Sequence, residues 1–270
     1  MAAPTPKQAP APASPPPDDG HELRMSLIEH LVELRNRLTW AFLAFVIGAS
    51  IGFVVAGPVL EYLITPYSDL FPETGRELIV LGPTGAIVTY LRVAMLVGGI
   101  IAVPMSTYQV MAFIVPGLTR KEKGYVILSI PAVAVLFVAG VGFAWFVLMP
   151  PAITFLEGFQ DGIFAAQWEA GQYITFVTAL LFWMGVAFQT PLVFFMLSLL
   201  GIVNAGVLLR SWRIAIVISA VAAAFITPTV DPVNMFLVMG PLLVLYAFSI
   251  ILTWIGWRIG GHHRSWRSER

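Results

Sequence analysis

Apolar residues in this chain are gathered into six long blocks, separated by short stretches that are polar, charged or rich in proline. A hydrocarbon layer about 30 Å thick is crossed by about 20 apolar residues in a helix. The blocks predict spans over residues 38–56, 86–115, 125–149, 173–200, 214–226 and 233–257. The expected fold is all-α: a polytopic membrane protein with six transmembrane helices, the last two short. Pro228 and Pro232 predict a tight turn between those two, because proline stops a helix and pushes its predecessor toward extended geometry. Ahead of the first block, Leu27, Leu31, Leu34 and Leu38 recur at steps of four, three and four. That spacing lays one apolar stripe along a helix, with Glu29, His30, Glu33, Arg35 and Arg37 on the other faces. Ser26 followed by Glu29 has the form of a capping box, so this amphipathic helix is expected to begin there and run into the first span.

Positive charge orients the spans. An even number of spans puts both termini on one side. That side collects Lys7, Arg24, Arg35, Arg37, Arg120, Lys121, Lys123, Arg210, Arg213, Arg258, Arg264, Arg267 and Arg270. Only Arg76 and Arg92 fall on the other. The basic side is expected to face the cytoplasm, with the N-terminus there. Residues 1–24 hold seven prolines and five alanines and no apolar run, and read as a disordered tail. The membrane domain is expected over 25–257, with a basic cytoplasmic tail over 258–270.

Composition narrows the chemistry. Of the 270 residues 58% are hydrophobic and 11% charged, which excludes a soluble enzyme or a disordered protein. Fifteen bases balance fifteen acids, leaving no net positive charge for nucleic acid. Cysteine is absent, so disulfides, thiolate metal sites and cysteine nucleophiles are excluded. The four histidines (21, 30, 262 and 263) lie in the flanks, and no acid lies in the middle of a span. A proton-coupled carrier, an intramembrane protease and a metalloenzyme each need titratable or ligating groups in the bundle, so the inventory argues against all three. No metal or cofactor is expected. The deep polar residue is Gln189, in Phe188-Gln189-Thr190-Pro191. It is either interhelical glue or a polar spot in a concave face; Pro191 should bend the helix beside it. Arg92 should snorkel or pair with an acid of an outer loop.

Two carboxylates on the basic side stand out. Glu33 sits in the amphipathic helix, and Glu122 is a lone acid among Arg120, Lys121 and Lys123. They are either solvated neighbours of their basic flanks or a pair that accepts guanidinium groups in two-bond forks. Their spacing along the chain leaves both readings open.

The segment His30-Leu31-Val32-Glu33-Leu34-Arg35-Asn36-Arg37 resembles the HLxELRxR signature of the TatC family, the multispanning core of the twin-arginine protein translocase. Tyr108-Gln109-Val110-Met111-Ala112-Phe113-Ile114-Val115-Pro116-Gly117-Leu118 with Glu122 is similar to that family's YQxWxFxxPxL…E segment. Phe188-Gln189-Thr190-Pro191 resembles its FExP, and Ile226-Thr227-Pro228 with Asp231 resembles its TPPD turn. The likeness runs over about residues 25–256 in the family's order. It implies a receptor and translocase subunit, not an enzyme, that binds paired-arginine signal peptides of folded cargo through Glu33 and Glu122. His30, Arg35, Arg37 and Phe113 hold motif positions beside that patch. It further implies a concave face, at Gln189 and Pro191, for the signal peptide's apolar part. Docking of TatA- and TatB-type single-span partners is implied near Thr227, Asp231 and Asn234. The same resemblance implies a bacterial inner-membrane setting, assembly as a homo-oligomer and drive by the proton motive force. Gln189 departs from the family's frequent Glu, Met111 from its Trp, and Thr229-Val230 lengthens the turn. A small-molecule secondary transporter is the alternative, although residues 25–123 and 124–258 show no internal repeat. An interaction scaffold without a transport role is a third reading.

Overall fold

The computed structural model describes residues 27–70, 78–114, 120–159, 168–227 and 231–260, with their side chains except at 27–30, 69, 70, 111, 112, 114 and 120–130. The proline-rich tail, Ser26 of the capping box and the tail beyond Gly260 lie outside these residues, as do the Pro228–Val230 positions of the turn. The elements are α1 (Leu27–Leu70), α2 (Gly85–Ile114), α3 (Arg120–Phe143), a π-helical turn (Ala144–Leu148), α4 (Met149–Gly158), α5 (Ala170–Ala187), α6 (Thr190–Leu199), α7 (Ala205–Arg210), α8 (Trp212–Ile226) and α9 (Pro232–Ile259). Among the described residues five helical stretches are long and apolar enough to cross a membrane, and α8 is shorter. The polytopic all-α architecture predicted from the blocks is therefore present.

Several boundaries move. The amphipathic segment and the first span form one helix of 44 residues that continues through Pro58 and Pro66. At about 1.5 Å per residue it is roughly 66 Å long, far more than the hydrocarbon requires. Each proline removes one main-chain hydrogen bond, and the surrounding apolar contacts hold the helix on course. The third span also runs on, as far as Gly158, through a π turn in which the Met149 N–H donates to the Ala144 carbonyl. Pro150 and Pro151 follow directly and have no N–H to offer. The last span is not short, contrary to expectation: α9 has 28 residues. Only α8, with 15, is below membrane length. Asp231 caps α9 immediately after the turn and starts the helix at Pro232, one residue before the expected start.

Lipid tails are as apolar as leucine, so exposing Leu, Val or Phe there costs nothing and association depends on close packing. The leucine stripe of α1 is accordingly uncovered, with Leu31 63% and Leu38 66% exposed. The helix instead buries its small residues against α2, its most extensive partner. A Cβ at Gly98 would stand 2.7 Å from the Ala49 Cα, and one at Gly48 would stand 2.8 Å from the Gly98 carbonyl oxygen. A Cβ at Gly52 would collide with the Ala94 carbonyl oxygen. The helices run antiparallel, and farther along the same seam Tyr90 donates to the Phe53 carbonyl at 2.8 Å.

Helix α5 forms the centre. Tyr173, Ile174, Val177, Leu180 and Met184 are buried among α2, α3 and the π turn. A short parallel bridge pins its start, with Ile79 N–H to the Trp168 carbonyl at 3.0 Å and Ala170 N–H to the Ile79 carbonyl at 2.8 Å. Tyr173 donates to the Leu63 carbonyl at 2.8 Å, so α1 is tied to the same end. Helices α6, α8 and α9 form a second group in which α9 touches both others. Ser198, Ser249 and Thr253 are fully buried there, each hydroxyl donating to a carbonyl of its own helix. This satisfies their donors where no water reaches.

Replacing Gly52 by leucine should force α1 and α2 apart and destabilise the fold by about 1–3 kcal/mol, as overpacking does. A lower unfolding temperature of the detergent-solubilised protein would register it. An unchanged midpoint would mean that the seam does not set the stability.

Candidate functional site

The antiparallel register of α1 and α2 brings three polar side chains together near the start of α1 and the end of α2. Glu33 and Arg37 are one helical turn apart, the spacing at which side chains meet. Arg37 Nε donates to Glu33 Oε1 at 2.9 Å, and Nη2 donates to the same oxygen. Arg37 Nη1 reaches across the seam to Gln109 Oε1 at 3.4 Å. The ion pair is only partly exposed, 24% for the arginine and 19% for the glutamate. The second oxygen, Glu33 Oε2, is buried and accepts no hydrogen bond. A carboxylate accepts through both oxygens, so half of this one is unused.

Of the residues singled out on this face, the fold gathers Glu33 and Arg37 and adds Gln109. Phe113, half-buried, follows Gln109 by one turn on α2. Arg35 is exposed and stays out of the network. His30 and Glu122 belong to α1 and α3 respectively, but their side chains lie outside the described residues. Gln109 carried no assigned role. Its signal was present in the sequence: it is an amide in the otherwise apolar stretch Val103–Ile114, broken elsewhere only by Ser106, Thr107 and Tyr108.

A separate groove lies along α2, its lining beginning at Val110, next in sequence to Gln109. Its near part is a cavity of about 400 Å³ lined by Val103, Ser106, Thr107, Val110, Gln189 and Val193. Its far part, about 550 Å³, is lined by residues that include Arg92, Met95, Gly99, Thr178 and Phe182, and shares Val103 and Ser106 with the first. From Arg92 to Val110 along α2 is about 27 Å, close to the full hydrocarbon thickness.

Gln189 stands where the fourth span breaks into α5 and α6. Pro191, second in α6, cannot donate, and the chain passes through a turn before the helix resumes. Gln189 is 5% exposed and its Nε2 donates to the Val133 carbonyl of α3 at 2.9 Å. Its Oε1 is buried without a partner. Both readings of this residue therefore hold at once: the amide nitrogen joins two helices, and the residue lines a cavity. Arg92 Nη1 donates to the Gly171 carbonyl at 2.9 Å and to Thr175 Oγ1, and among the described residues no acid pairs with it; the acids at 73, 77 and 161 lie outside the described residues.

The polar residues near the last turn are turned inward. Thr227 and Asn234 are 4% and 1% exposed. Thr227 donates to the Ala223 carbonyl at 2.8 Å. Asp231 accepts from the Asn234 backbone N–H at 2.7 Å and from its Nδ2 at 3.0 Å. What faces outward here is apolar, with Phe225 71% and Phe236 63% exposed. No group of three or more potential metal ligands occurs among the described residues.

An all-helical, multi-pass membrane protein with a polar patch between α1 and α2 and a groove along α2 is the class these features define. The family model described as Sec-independent protein translocase protein (TatC) matches residues 29–241. The TatC protein of Koribacter versatilis is 33% identical over 228 residues, covering 84% of each chain. A tatC-like protein of Porphyra purpurea is 33% identical over 235 residues, 87% of this chain and 90% of its own. A crystal structure of the twin-arginine translocase receptor TatC superimposes with a TM-score of 0.77 at 36% identity, over 84% of this chain and 99% of that one. The chain belongs to the TatC family of Sec-independent protein translocase components.

Asp231→Ala should remove the cap of α9 and cost about 0.5–2 kcal/mol, while Asp231→Asn should keep most of it. Thermal unfolding of the two variants separates these outcomes. Equal losses would mean that charge, and not the cap, is what Asp231 supplies.

Proposed function

We propose that this protein is the receptor subunit of a twin-arginine translocase, capturing paired arginines of a signal peptide at Glu33. One observation carries the reading: a buried carboxylate oxygen, Glu33 Oε2, has no hydrogen-bond partner. Arg37 holds Oε1 and fixes the carboxylate plane, which leaves Oε2 to accept from an incoming guanidinium. Gln109 and Arg37 tie that geometry to α2. Glu122, on α3, is the second acid of the proposed clasp, and His30, Arg35 and Phe113 flank it. Desolvation at the membrane rim strengthens both contacts, and arginine is preferred to lysine because it makes two parallel bonds.

The apolar part of the signal peptide is assigned to the near part of the groove, beside Gln189 and the Pro191 break. A neutral amide cannot titrate, so Gln189 serves here as a hydrogen-bonding group and not as a proton carrier. The excess of basic residues on the Glu33 side supports a cytoplasmic N-terminus in a bacterial inner membrane. Single-span TatA- and TatB-type proteins are the proposed partners, docking on the apolar face of α8 and α9 near Thr227, Asp231 and Asn234. Several copies would form the active complex, which acts without catalysis of its own and draws on the proton motive force. The family sets aside the small-molecule carrier.

Glu33→Gln should weaken capture of a paired-arginine peptide by about 10–100-fold, the loss of about 1.5–3 kcal/mol expected for a charged hydrogen bond. Adding Glu122→Gln should abolish capture. Photo-crosslinking of the peptide to reconstituted protein measures both. Undiminished crosslinking in the double variant would sink the clasp.

A further inference from the structure

The far part of the groove, which the signal-peptide reading does not use, has chemistry of its own. Arg92 is exposed on its wall, seven residues into α2 from Gly85, about 10 Å from the helix end. Only Nη1 of the guanidinium is engaged, by the Gly171 carbonyl and Thr175 Oγ1. Among the described residues its Nε and Nη2 carry no hydrogen bond, and no carboxylate pairs with it. Glu169 Oε1 lies 2.8 Å from where a Cβ on Gly171 would stand. A cation at this depth is costly unless an anion or a hydrogen-bonding shell accompanies it.

The groove below Arg92 is apolar and made wide by small side chains. Met95, Gly99, Ala102 and Val103 line it from α2, facing Ala179 and Phe182 of α5. At Gly99 a Cβ would come within 2.9 Å of the Phe182 ring, so glycine lets that ring pack against α2 as one wall of the groove. Arg92 to Val103 spans about 16 Å along the helix, half of the roughly 30 Å hydrocarbon and hence one leaflet. A cation at the top of a leaflet-deep apolar channel matches a phosphate esterified to an acyl-bearing glycerol.

We infer that Arg92 and this channel form a binding site for an anionic phospholipid of the leaflet on the Ile79–Glu169 side. The phosphodiester accepts from Nε and Nη2, the two free edges of the guanidinium, and one acyl chain descends between α2 and α5. A zwitterionic lipid carries an ammonium group that repels Arg92, so net negative charge is selected.

Native mass spectrometry of the full-length, delipidated protein in non-ionic detergent tests the site. The probes are phosphatidylglycerol, phosphatidylcholine with the same chains, and glycerol 3-phosphate. One phosphatidylglycerol should be retained at least about tenfold more tightly than phosphatidylcholine, with glycerol 3-phosphate bound far more weakly. Arg92→Gln should lose that preference and Arg92→Lys should keep part of it. Ala179→Phe, which fills the channel and leaves Arg92 in place, should lower phosphatidylglycerol retention by at least about tenfold. Equal retention of the two lipids by the unaltered protein would overturn the proposal even if Arg92→Gln fails to fold. Binding of glycerol 3-phosphate as tight as the lipid, or full retention in Ala179→Phe, would reduce the site to a phosphate contact and overturn the channel.

Discussion

The closeness of α1 and α2 governs what this protein presents. Their backbones approach until a single methyl group at Gly48, Gly52 or Gly98 would strike the opposite chain. In lipid no hydrophobic force presses two helices together, so such approach, with its dense van der Waals contact, is what holds them. The same approach fixes register. With Gly98 seated on Ala49, Arg37 must fall opposite Gln109, and Tyr90 opposite Phe53. The polar patch at one end and one wall of the groove are both consequences of where these small residues lie.

Polar groups in such a fold must be answered from within the protein. Most are answered locally: Thr227, Ser249 and Thr253 donate to their own helices, and Asp231 caps α9. Against that background the unanswered atoms are informative. Glu33 Oε2, Gln189 Oε1 and Asn234 Oδ1 are buried acceptors without partners, and Gln189 lines the near part of the groove. On the proposed reading a cationic end meets Glu33 and an apolar continuation enters the groove along α2.

Much of this was legible along the chain. Long apolar blocks bounded by charges become membrane helices whatever their neighbours, since the bilayer enforces length and internal hydrogen bonding. The motif around Glu33 and Arg37 could be read because its members are one turn apart on one helix. Gln109 could not be assigned, because its partner lies 72 positions earlier and only the seam brings them together. The partners of Arg92, a carbonyl and a hydroxyl of α5, likewise lie about 80 positions away and could not be read from the chain. Helix α1 runs past its expected end because proline in a membrane helix need not end it, whereas α9 lies close to its expected bounds and is long enough to span.

The sequence by itself determined the class of fold, the number of spans, the asymmetry of charge and the motifs that place the chain in its family, because each depends on composition or on residues within a turn or two of one another. Only the tertiary structure decided which polar atoms remain unpartnered, how deep the groove runs and which side chains share it. Those depend on helix register and crossing, set by contacts between residues far apart in the chain, and short-range pattern carries no record of them.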